Sequence, residues 1–139
     1  MWILYALLAA LLAALVTVFA RAGLPRVDAV LATTLRALLM AGILLAVATL
    51  SGRFQPSTLA TVQGREWGWI FLSAVAGAGS WLCYFLALQK GPAGPVAALD
   101  RLSIVGVVIL AALFLGEATG WKAILGSFLV VAGALLITW

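Results

Sequence analysis

The sequence predicts an all-α integral membrane protein, a bundle of five transmembrane helices. Composition points there first: of 139 residues, 66% are hydrophobic and only 9% charged. A soluble domain is nearer half apolar and a quarter charged. The mean hydropathy is +1.26. The apolar residues also fall into five blocks, 2–20, 29–50, 67–88, 96–115 and 121–139, each close to the roughly 20 residues that cross a hydrocarbon core as a helix. Helices follow from the medium, since lipid offers no partner for backbone N–H and C=O groups. The blocks form one domain, 1–139, whose first partner is the lipid bilayer of the inner or plasma membrane.

The first span, Trp2 to Ala20, could also be a signal peptide, because Ala20-Arg21-Ala22 fits a small-x-small cleavage pattern. No positive residue precedes it and it exceeds a signal's apolar core, so a retained span is the better reading. Arg21 to Asp28 is a short polar turn with Gly23 and Pro25, and Asp28 is placed to cap the next helix. The second span carries one charge, Arg36, eight residues past Asp28 and so about 12 Å along a helix. A snorkelling arginine is the alternative, but that depth strains the reach to the headgroups and favours an interior position. Ser51 to Glu66 is a polar loop, with a short interfacial helix expected over Thr58 to Gln63.

The third span opens on Trp67 and Trp69, residues suited to the membrane interface. Its middle is almost entirely small, with Ser73, Gly77 and Trp81 on one face and Ala76, Ser80 and Tyr84 on another. Such spacing lets helices approach closely in lipid. Trp81 and Tyr84 either line a cavity beyond that small face or pack against lipid or a neighbour. A turn over Gly91 to Pro95 leads to the fourth span, Val96 to Leu115, where Asp100 and Arg101 interrupt an apolar run. Ionisable groups at such depth are costly and point to function. The fifth span, Trp121 to Trp139, holds Gly126 and Gly133 seven residues apart, a packing seam on one face.

The order of residues from Tyr84 onward carries a family resemblance. Tyr84, Ala87, Leu88, Gln89, Lys90, Gly91 and Pro92 are followed by Val96, Ala97, Asp100, Arg101, Leu102 and Ser103, then Phe114 to Glu117, then Gly126 and Gly133. This ordered set resembles the EamA domain of the drug/metabolite transporter superfamily; at the front the resemblance rests on Arg36. It implies export or exchange of small metabolites or drugs, with the third helix lining the substrate path. The family commonly has ten helices in two repeats, and this chain resembles its five-helix bacterial and archaeal members, with one repeat. A complete path then requires a second chain, a homodimer or a sister chain. The residues expected on the path are Arg36, Ser80, Trp81, Tyr84, Asp100, Arg101 and Ser103, and those expected at helix contacts are Gly77, Gly126 and Gly133.

Other functions find little support. The chain has no histidine and one cysteine, Cys83, so no cofactor or metal is expected and an internal disulfide is excluded. The net charge of +4 is scattered without a basic run, which sets nucleic acid aside. No nucleophile–base set or paired carboxylates occur in the spans, so an enzyme is not expected. The alternative to a transporter is a structural or regulatory subunit of another membrane complex, which small-residue seams would serve equally well. An ion pore is disfavoured, with no ring of like charges in view.

Parity places Arg53, Arg65 and Lys122 on one side of the membrane and Arg21, Arg26 and Lys90 on the other. Three against three gives almost no orientation signal, and adding Arg36 and Arg101 to their nearer side gives three against five, a lean opposite to the N-terminus-inside placement that the resemblance implies. From the second side Arg36, Asp100 and Arg101 are the deepest charges, and an Arg36–Asp100 pair is geometrically allowed. An odd number of spans makes two fused copies an inverted repeat. An antiparallel homodimer with dual topology reaches the same architecture without fusion; the rivals are a parallel dimer and a heterodimer with a sister chain.

Overall fold

A computed structural model describes residues 1–116, 118 and 120–139; Glu117, assigned above to the family pattern, lies outside them. The described residues are mostly helical, with no strand among them, and five helices are long and apolar enough to cross a membrane. No more than 11% of any span's most apolar window is buried within the chain. The side chains that make these helices membrane-compatible therefore face outward, as expected where lipid or a partner covers them.

The chain divides into two compact units, Gly23–Gln89 and Met1–Ala22 with Lys90–Trp139. In the first, a 3₁₀ turn over Leu24–Arg26 leads into α2 (Ala29–Leu50), the helix that follows α1 (Trp2–Gly23). Asp28 caps α2: its Oδ1 accepts from the backbone N–H of Val30 at 2.9 Å and of Leu31 at 3.1 Å. Such a cap contributes about 1 kcal/mol. The other end of α2 closes with Gly52 at φ +66°. There the Gly52 N–H donates to Thr49 O at 3.0 Å and the Arg53 N–H to Ala48 O at 2.9 Å. This pair of bonds is the Schellman arrangement, which a left-handed glycine permits without steric cost.

A four-residue helix, α3 (Pro56–Leu59), follows. It lies earlier than the Thr58–Gln63 helix expected, because Pro56 supplies a pre-set first turn. The next helix, α4 (Gly64–Lys90), starts earlier than Trp67 and runs past Leu88, with Glu66 in its first turn and Lys90 in its last. Both charges complement the helix dipole, an acid at its positive start and a base at its negative end, which favours extending the helix through these polar residues.

The second unit corrects the expected fourth span. Helix starts at Ala93, just after Pro92, so Ala93-Gly94-Pro95 forms the first turn of α5 (Ala93–Asp100) instead of a loop. The span is then not one continuous helix. It breaks at Arg101-Leu102 and resumes as α6 (Ser103–Leu110). Across the break the backbone bonds tighten to i→i−3, from Arg101 N to Ala98 O, Leu102 N to Leu99 O, Ile104 N to Arg101 O and Val105 N to Leu102 O, all between 3.0 and 3.2 Å. A π-turn over Ala111–Leu115 follows, ended by Gly116 at φ +66°. The last helix, α7 (Trp121–Thr138), packs principally against α5 and then α6.

Candidate functional site

The Gly23–Gln89 unit holds the site. Its two long helices run antiparallel: the Gln89 side chain donates to Val27 O at 3.4 Å near one end, and the chain reverses through α3 at the other. Their backbones do not pack closely along the length. Between them lies a cleft of about 530 Å³ whose walls include Ala37 and Ala41 of α2 and Ala74 and Ala78 of α4. The missing bulk of those alanines is what leaves the space. The lining face of α4 is Ala74, Ala78, Trp81 and Leu82, which shares Trp81 with the expected Ser73–Gly77–Trp81 face and otherwise lies one residue on from it.

Arg36 enters this cleft as its sole charged lining residue. Its Cζ lies over the Trp81 ring, 3.8 Å from the centroid, and 5.5 Å from the centroid of Phe85. A cation over an aromatic face gains about 0.5–2 kcal/mol, more as water is excluded. Trp81 is braced in turn. Tyr84 meets it edge-to-face at 5.8 Å and 83°, and Phe85 at 6.0 Å and 66°. Phe85 is buried and was missed in the sequence, although its place four residues after Trp81 was the available signal. Thr33 and Thr34 also line the cleft, their hydroxyls donating to Ala29 O at 2.7 Å and Val30 O at 2.8 Å.

The expected path residues therefore separate. Arg36, Trp81 and Tyr84 come together in one cluster, Arg36 and Trp81 in the wall and Tyr84 behind. Ser80 is exposed and does not line the cleft. Asp100, Arg101 and Ser103 belong to the other unit, where they flank the break between α5 and α6 and are exposed. A Cβ built at Gly77, Gly126 or Gly133 would meet no heavy atom within 4 Å among the described residues.

The second unit has a cleft of its own, about 520 Å³, lined by Val105, Val108 and Ala112 from the fourth span and by Ile124, Ser127 and Phe128 of α7, among others. Ser127 is buried and its Oγ has no hydrogen-bond partner among the described residues. No cluster of metal-ligating side chains occurs among the described residues.

A helical, multi-pass membrane protein with one cation set against aromatic rings in a largely apolar cleft has the features of a membrane transporter. The chain belongs to the EamA-like transporter family, whose profile matches residues 1–139. It is similar to a Sinorhizobium protein named as an uncharacterized transporter in the cobO 3′ region, 40% identical over 136 residues, which is 98% of this chain and 95% of the relative. No solved structure matches the chain.

Proposed function

We propose that the protein exports or exchanges small metabolites or drugs across the inner or plasma membrane, and that two copies form the substrate path between them. The observation that carries this reading is Arg36 over Trp81 within the α2–α4 cleft. A guanidinium so far along a membrane helix is costly unless it serves a polar path or a ligand. Ser80, Asp100, Arg101 and Ser103 are proposed as further path residues contributed where the two repeats meet. The balance of three Lys or Arg on each side supports subunits inserted in both orientations, and the open glycine faces at Gly77, Gly126 and Gly133 are the proposed contacts between copies.

Purified protein in sealed vesicles should catalyse saturable flux of members of a metabolite pool; vesicles that stay as tight as protein-free controls for every pool tested would leave a structural subunit as the better reading. Single cysteines at Gln63 and Ala93, in a Cys83→Ser background, test orientation. Labelling from outside intact cells at both positions is expected for dual topology. Labelling at one position alone rejects it.

A further inference from the structure

We infer that the α2–α4 cleft takes an organic anion, a carboxylate or phosphate ester held by Arg36, with a compact apolar or aromatic body held by the rest of the wall. The inference rests on reading the cleft as a substrate path and adds the chemical class of the substrate. It starts from an unbalanced charge. Arg36 presents five N–H donors, yet among the described residues it forms no hydrogen bond or ion pair; its contacts are the rings of Trp81 and Phe85. Rings satisfy part of the charge and accept little of the hydrogen bonding.

Its own unit offers no acid to complete the balance. Asp28 is engaged at the start of α2, its carboxylate accepting from Val30 and Leu31, eight residues before Arg36 and so about 12 Å along the helix. Glu66 precedes Trp81 by fifteen residues on α4, about 22 Å from the ring that Arg36 covers. An apolar cleft with one uncompensated cation suits a ligand that brings the missing charge, because a planar guanidinium accepts a carboxylate or phosphate through two parallel bonds. A cation would meet like charge at low dielectric. A neutral body would leave the donors unmet. The volume, about 530 Å³, lies in the range of small-ligand pockets, and the Ala37, Ala41, Ala74 and Ala78 walls give the body an apolar seat.

An anionic lipid headgroup carries the same chemistry on an acyl body, so the test separates the two sources. The probes are phenylacetate, phenylacetamide and phenethylamine, one body in three charge states, with isovalerate as an alternative carboxylate and phenyl phosphate, mostly a dianion at neutral pH, as the phosphate ester. Binding is measured on the full chain in neutral detergent by tracer retention and thermal shift. The anions should bind saturably and compete with one another, while the amide and the amine compete at least tenfold less well. Arg36→Gln should lose at least tenfold in anion affinity, and Arg36→Lys should retain part of it. The proposal is overturned if the amine competes as well as the anion, if no anion binds, or if Arg36→Gln binds like wild type. It is also overturned if phosphatidylglycerol in mixed micelles, compared with phosphatidylcholine, blocks the site in an Arg36-dependent way that the soluble anions cannot reverse. Arg36→Gln is checked for folding by its elution and helicity. Flux of neutral or cationic solutes without anion binding would reject this inference and leave the transporter reading standing. Arg36-dependent anion binding without flux of any anion would do the reverse.

Discussion

The two units enclose clefts of nearly the same size, about 530 Å³ beside Arg36 and about 520 Å³ beside Ser127. They differ in chemistry. In the α2–α4 cleft a full charge sits over a tryptophan that two further aromatics brace from the side. In the cleft between the fourth span and α7 the polar lining residue is a serine whose hydroxyl makes no bond. Volume alone therefore does not pick out a site. A charge kept in an apolar wall is expensive enough to require a use, whereas an idle hydroxyl costs about 1–3 kcal/mol, which packing can absorb.

If that difference is functional, replacing the charge should have the largest effect. Arg36→Leu is expected to lower flux by about thirtyfold or more, since removing one side of a desolvated charge contact costs about 2–5 kcal/mol. The protein should still insert and be recovered from detergent. Normal flux in a folded Arg36→Leu protein would make the two clefts equivalent and remove the comparison's basis. A double-mutant cycle on Arg36 and Asp100 tests the ion pair that the sequence allows. If the two are partners, Asp100→Asn and Arg36→Gln are harmful singly and less than additive together, with a coupling of about 0.5–3 kcal/mol, and Asp100 instead of a ligand then balances Arg36. Strict additivity would show that the two residues act apart.

The ring beneath the guanidinium comes next. Trp81→Leu removes the closest cation–π contact and leaves Phe85 at 5.5 Å, so flux should fall by a factor of about 2 to 30, matching 0.5–2 kcal/mol. Trp81→Phe should recover part of it. Equal flux in Trp81→Leu and wild type would leave Arg36 acting through its charge alone.

Much of the fold was legible because membrane helices announce themselves by length and composition, and Asp28 by the capping oxygen it offers at the start of α2. The break at Arg101-Leu102 was not, although the charges that flank it were conspicuous. A run as apolar as Ser103 to Leu115 reads as one helix whether its backbone bonds span three, four or five residues. In the cleft, Arg36 and Trp81 were legible as deep, chemically unusual residues. Their contact was not, because it depends on the register between α2 and α4. That register is expressed in contacts such as Gln89 to Val27, across 62 residues of chain, where local spacing carries no signal. Phe85 shows the same limit: it looks like ordinary apolar filling until the helix opposite is in place.

The smallest effect concerns Ser127 and sharpens the contrast from the other side. Hydroxyls elsewhere in these helices return a bond to the preceding turn: Thr17 to Ala13 O at 3.0 Å, Thr33 to Ala29 O at 2.7 Å and Thr138 to Ala134 O at 2.6 Å. Such bonds satisfy the side chain locally and let it sit in an apolar medium. Ser127 is buried yet has no partner among the described residues. Replacing it with alanine removes the unmet group and little volume. Ser127→Ala should therefore raise stability by about 1 kcal/mol, read as a higher midpoint in detergent unfolding, with flux unchanged. A loss of flux at undiminished stability would mean that the hydroxyl meets a ligand or a second copy in the working protein. The apolar cleft would then belong to the path, and the two units would differ in degree instead of in kind.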